Sequence, residues 1–107
     1  MKVPYIHIYA QAWNHSDAFI VGNKEGLIAL ADALDMVSAH WNDDIIGVDV
    51  FANNGEGYKI IIKRTSDEDM QQLKLPYPDD EVHGNEVGGK SPFELVGKEA
   101  YIKLLGK

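Results

Sequence analysis

Residues 45–64 leave the chain little choice. Ile45-Ile46-Gly47-Val48-Asp49-Val50-Phe51-Ala52 and Tyr58-Lys59-Ile60-Ile61-Ile62-Lys63-Arg64 are rich in β-branched residues, and Asn53-Asn54-Gly55-Glu56-Gly57 lies between them. β-Branched residues fit a pleated, half-buried surface. Asn54-Gly55 supplies the positive φ values that a tight reversal needs. The period of two puts Ile46, Val48 and Val50 on one face and Tyr58, Ile60 and Ile62 on one face of the partner strand. Asp49, Lys59 and Lys63 then point to water, and Phe51 and Ile61 are either cross-strand neighbours or part of an interface.

A second hairpin is expected upstream. Residues 3–11 alternate as a strand, which Pro4 confines to an edge or limits to a start at that residue. Asn14 to Asp17 is a polar turn cluster, and Ala18 to Val21 is a short second strand. A helix follows from Lys24 to His40, with Asn23 as its N-cap and Glu25 complementing its dipole. Leu27, Leu30, Ala31, Leu34, Val37 and Trp41 recur at spacings of three and four, so they are expected to form the buried stripe.

The segment from Thr65 to Ser91 is less regular. Ser66-Asp67-Glu68-Asp69 reads as a capping box over a short helical turn, with Met70 and Leu73 on its apolar side. Leu75-Pro76-Tyr77-Pro78 must be extended. Asp79-Asp80-Glu81 is acidic, and Gly88-Gly89 is flexible. Ser91-Pro92 can cap a turn, and Lys98 to Leu105 can form a terminal helix docked by Ala100, Tyr101, Leu104 and Leu105 and ended by Gly106. The order β-β-α-β-β-α predicts one α+β domain over residues 1–107: a two-layer sandwich with an antiparallel four-stranded sheet and one main helix packed on it.

Composition narrows the function classes. A chain of 107 residues suits one modest core. Its formal net charge of -7 disfavours nucleic acid and anionic membranes, which need clustered Lys and Arg. The macromolecular partners it suits are basic. Cysteine is absent, so neither a disulfide framework nor a thiolate zinc site exists, in keeping with a cytoplasmic location. The first residues, MKVPYIHIYAQAW, lack the apolar core of a signal peptide or a membrane span.

Catalytic and metal signals are weak. Gly22-Asn23-Lys24 precedes a helix N-terminus, where free amides can hold phosphate. However, "GNKEG" matches neither GxGxxG nor GxxxxGK[ST], and Glu25 repels an anion, so a cap with a tight turn is the preferred reading. Gly26 lets another backbone or a ligand come close. His7, His15, His40 and His83 are scattered without metal-ligand spacing. His15-Ser16-Asp17 holds the letters of a triad, but consecutive turn residues cannot aim at one another. Asp79-Asp80-Glu81 with His83 reads as solvated charge rather than a cation site. No cofactor, no metal site and no enzyme is therefore expected. The aromatics of most interest are Trp41, expected in the core, and Trp13 and Tyr77, which can anchor a contact surface.

The string VGNKEGLIALADALDMV resembles the small bacterial immunity proteins of polymorphic toxin systems, in particular the family numbered thirty-two. The matching residues are Gly22, Asn23, Gly26, Leu27, Leu30 and Ala31, in the first half of the chain. The resemblance implies a non-enzymatic protein that neutralises a toxin by binding it. Acidity favours a basic toxin, with Trp13, Asp67, Glu68, Asp69, Tyr77, Asp79, Asp80 and Glu81 as the expected contact residues. The competing expectation is a phage-encoded anti-defence protein that sequesters a small nucleotide at Asn23 and Lys24. A homodimer is compatible with either.

Overall fold

The computed structural model describes residues 2–13, 16–39, 45–76 and 89–106. Trp41 and the end of the expected helix at His40 lie outside them. The chain forms two compact units, one of Met1–Tyr9 with Phe19–Arg64 and the other of Ala10–Ala18 with Thr65–Lys107.

The first unit contains β1 (Ile6–Tyr9), β2 (Phe19–Gly22), α1 (Lys24–Ala39), β3 (Ile45–Phe51) and β4 (Gly57–Lys63). It is α+β, as expected. Its strands form two antiparallel two-stranded sheets, β1-β2 and β3-β4, rather than the single antiparallel four-stranded sheet. The hairpins meet at one isolated parallel bridge between Tyr5 and Phe51. The Phe51 N–H donates to the Pro4 carbonyl at 3.0 Å. Two local features stop that bridge from growing into a ladder: Pro4 has no N–H to give, and the Tyr5 N–H donates to Asn23 Oδ1 at 3.0 Å.

The β3-β4 register follows the alternation. Ile46 opposes Ile62, Val48 opposes Ile60 and Val50 opposes Tyr58. Phe51 and Ile61 are not cross-strand neighbours; each faces a glycine, Gly57 and Gly47 respectively. At the turn, Gly55 has φ +90° and Asn54 Oδ1 accepts from the Glu56 N–H at 3.0 Å. The lysine on the outer face is tied down as well: Lys59 Nζ lies 2.8 Å from Asp49 Oδ1.

The core is built from Ile6, Leu30 and Val50, with Val48, Ile60 and Ile62 packed against them. Fully burying an aliphatic side chain contributes about 1.5–3 kcal/mol, so this cluster dominates the stability of the unit. The buried line along α1 is Gly26, Leu30, Ala33 and Val37. The expected stripe is therefore corrected: Leu27, Ala31 and Leu34 are exposed and lie on the flank of the helix. Gly26 sets this rotation. A Cβ there would overlap the Tyr5 carbonyl oxygen, so the backbone of β1's entry presses directly on the helix. Positions four, seven and eleven further on then face the sheets.

The second unit contains α2 (Asp67–Gln72), α3 (Pro92–Val96) and α4 (Lys98–Leu104). None of the three helices buries a residue fully. Gly97, with φ +87°, separates α3 from α4, and the Phe93 and Tyr101 rings pack at 4.8 Å. Of the four residues expected to dock the terminal helix, Ala100, Tyr101 and Leu104 are half-buried and Leu105 is exposed. Leu73 and Lys90 form an isolated parallel bridge, in which Lys90 N–H donates to the Gln72 carbonyl at 2.7 Å and Lys74 N–H to the Lys90 carbonyl at 2.9 Å.

Candidate binding surfaces

Asn23 ties together two backbone segments of the first unit. Its Oδ1 accepts from the Gly26 N–H at 2.8 Å and from the Tyr5 N–H at 3.0 Å. Its Nδ2 donates to the Val3 carbonyl at 2.7 Å, and its own N–H donates to the Tyr5 carbonyl at 3.1 Å. It is thus an N-cap that also stitches residues 3–5 to the helix start. A cavity of about 180 Å³ opens beside it, between Tyr5, His7, Val21, Gly22, Asn23 and Asn53. Two of the polar side chains there, His7 and Asn23, are engaged within the chain. His7 Nε2 faces the Asn53 N–H at 3.0 Å, so it must accept, which assigns the ring proton to Nδ1, 2.6 Å from Tyr9 Oη. Gly26 does admit a close neighbour, and that neighbour is the backbone of Tyr5. With a first-turn amide already capped and both amide atoms of Asn23 engaged, the geometry favours the cap over a phosphate site at Asn23 and Lys24.

Trp13 projects from a turn organised by Ser16. Ser16 Oγ donates to the Trp13 carbonyl at 2.7 Å and accepts from the Ala12 N–H at 3.0 Å. Ser16 N–H also donates to the Trp13 carbonyl, at 3.2 Å, and Gln11 Nε2 donates to the Ser16 carbonyl at 2.9 Å. Hydrogen bonds therefore hold the backbone of Ala12 and Trp13, while Trp13 itself is 59% exposed. Sequence reading placed Ser16 in a polar turn cluster but did not foresee that its hydroxyl binds backbone groups three and four residues earlier.

Of the acidic residues expected at the contact surface, those that the structure describes lie on α2. Asp67 and Glu68 are exposed and Asp69 is half-buried. The expected capping box is only half present. Ser66 Oγ accepts from the Asp69 N–H at 3.1 Å, but the Asp69 carboxylate accepts from the Thr65 hydroxyl at 3.3 Å instead of reaching back to Ser66. An aspartate is one methylene shorter than the glutamate the box prefers. The complete box lies at Ser91 and Glu94, with Pro92 in the first turn of α3. Tyr77, Asp79, Asp80, Glu81 and His83 lie outside the described residues. Among the described residues, no three His, Asp or Glu side chains are placed to hold a metal ion. No described helix is long and apolar enough to cross a membrane.

Comparison with family models, with curated proteins and with solved structures finds no match for this chain.

Proposed function

We propose that this chain is a non-enzymatic cytoplasmic binding protein of the immunity type, which neutralises a basic protein toxin by covering it. The observation that carries the reading is the uneven placement of charge. The second unit holds ten acidic and five basic residues, against seven and five in the first. Its α2 displays Asp67 and Glu68 to solvent, and Trp13, in the same unit, is an exposed aromatic on a hydrogen-bonded backbone. Acidic surfaces speed encounter with basic partners, and aromatic anchors on rigid supports lose little entropy on binding. The resemblance through Gly22, Asn23, Gly26, Leu27, Leu30 and Ala31 supports the same class, although Gly22, Asn23, Gly26 and Leu30 serve the turn, cap and core.

The test is co-expression with the protein encoded by the adjacent gene. Restored growth together with a co-eluting complex supports the proposal; no protection and no complex overturns it. Within such a complex, neutralising Asp67, Glu68 and Asp69 to their amides should slow association at low salt and flatten its salt dependence, as seen by stopped-flow at two ionic strengths.

A further inference from the structure

The two outer strands of the first unit treat their free edges differently. β4 carries Lys59 and Lys63, charges of the kind that discourage strand addition. β2 reads Phe19-Ile20-Val21-Gly22, and no charged residue occurs from Ala18 to Asn23 in a chain of net charge -7. β2 pairs only with β1, and among the described residues nothing occupies its other edge. Phe19, Ile20 and Val21 are 59%, 56% and 57% exposed. An unguarded apolar edge of this kind is a template for another strand, and a two-stranded ribbon alone is marginal in water.

We infer that β2 pairs antiparallel with β2 of a second copy of this chain, centred on Ile20, to give a continuous four-stranded sheet β1-β2-β2-β1. The patch matches itself. A two-fold axis normal to the sheet keeps each side chain on its own face, so a residue can oppose only itself or one an even number of positions away. Centring on Ile20 sets Ile20 against its own copy and Phe19 against Val21 of the partner copy, an aromatic–β-branched pair of the favourable kind. It also brings together a stretch that itself carries no charge, so the paired strands add no like-charge repulsion of their own. A basic partner has no electrostatic reason to seek this edge. The dimer is thus independent of the binding role proposed above.

Three single substitutions test it, with mass measured by light scattering over a concentration series. The unsubstituted protein should show twice the 11.9 kDa of one chain at high concentration. Ile20→Lys, which sets like charges opposite each other at an exposed position, should raise the concentration for half-dimerisation at least about tenfold and leave the helical circular dichroism of the protomer intact. Because the chain has no cysteine, Ile20→Cys reports the register directly. Directly opposed antiparallel residues have Cα atoms about 4.5–5.5 Å apart, within disulfide reach. Ile20→Cys should therefore oxidise to a covalent dimer far more readily than Phe19→Cys. A monomer at every concentration, a dimer that survives Ile20→Lys unchanged, or equal cross-linking at both positions overturns the proposal. The cysteine pair decides the question even if Ile20→Lys fails to fold.

Discussion

The two hairpins of the first unit are made by the same pairing but kept by different means. β3-β4 is paired over seven residues a side and carries α1 across its inner face, so Val48, Ile60 and Ile62 are half-buried and Val50 is buried. β1-β2 is paired over four residues a side, and only Ile6 of its side chains is buried. The short ribbon is held at its root: by Ile6 in the core, by Asn23 around Tyr5, and by Tyr58 Oη donating to the Ile6 carbonyl at 2.5 Å. One hairpin is thus stabilised along its length and the other at one end. Strand pairing fixes geometry in both; the stability comes from what covers the strands.

That contrast can be broken most directly in the core. Ile6→Ala should cost about 2–5 kcal/mol, as should Leu30→Ala, since both empty the same cluster. Urea denaturation of the two variants checks this, and a loss below about 0.5 kcal/mol for Ile6→Ala would mean that β1 is not anchored there. Asn23→Ala is expected to cost about 2 kcal/mol, the upper end for a cap, because the Tyr5 N–H and the Val3 carbonyl lose a partner along with the helix. Hydrogen exchange should then quicken in β1 and the first turn of α1 while β3-β4 stays protected; uniform loss of protection would show the hairpins to be one unit. Tyr58→Phe removes a single bond to the ribbon's root and should cost about 0.5–1.5 kcal/mol. Ile8→Thr, near the ribbon's far end, should change stability by no more than about 0.5 kcal/mol, measured at a concentration where the protein is monomeric. A larger loss there would mean that the ribbon is supported along its length after all.

Local chemistry was readable and rotation was not. The β3-β4 register follows from alternation plus Asn54-Gly55, both written within 20 residues of chain. Asn23 is legible as a cap, since its partner Gly26 is three residues away, but its hold on Val3 and Tyr5 spans 20 and 18 residues and leaves no local trace. The helix stripe failed for a related reason. Leu27, Leu30, Ala31, Ala33, Leu34 and Val37 cover so wide an arc that periodicity accepts more than one buried line, and the choice is made by Tyr5 against Gly26. The single-sheet expectation failed at Pro4 and Tyr5, whose missing and diverted N–H groups halt pairing. As for the expected contact surface, Trp13, Asp67 and Glu68 are exposed as their polar surroundings suggested, whereas Ser16 was legible as a turn residue but its hold on Ala12 and Trp13 was not.

The bridge between Leu73 and Lys90 has an evolutionary consequence. Two backbone hydrogen bonds bring Gln72 and Lys74 against Lys90, and Gly89 leads directly into them. Gly89 stands at φ +105° with the Gln72 carbonyl 2.6 Å from where a Cβ would stand, so any side chain there would strain the backbone and push the bridge apart. A lineage free to vary the exposed residues near the bridge would still have to keep this glycine.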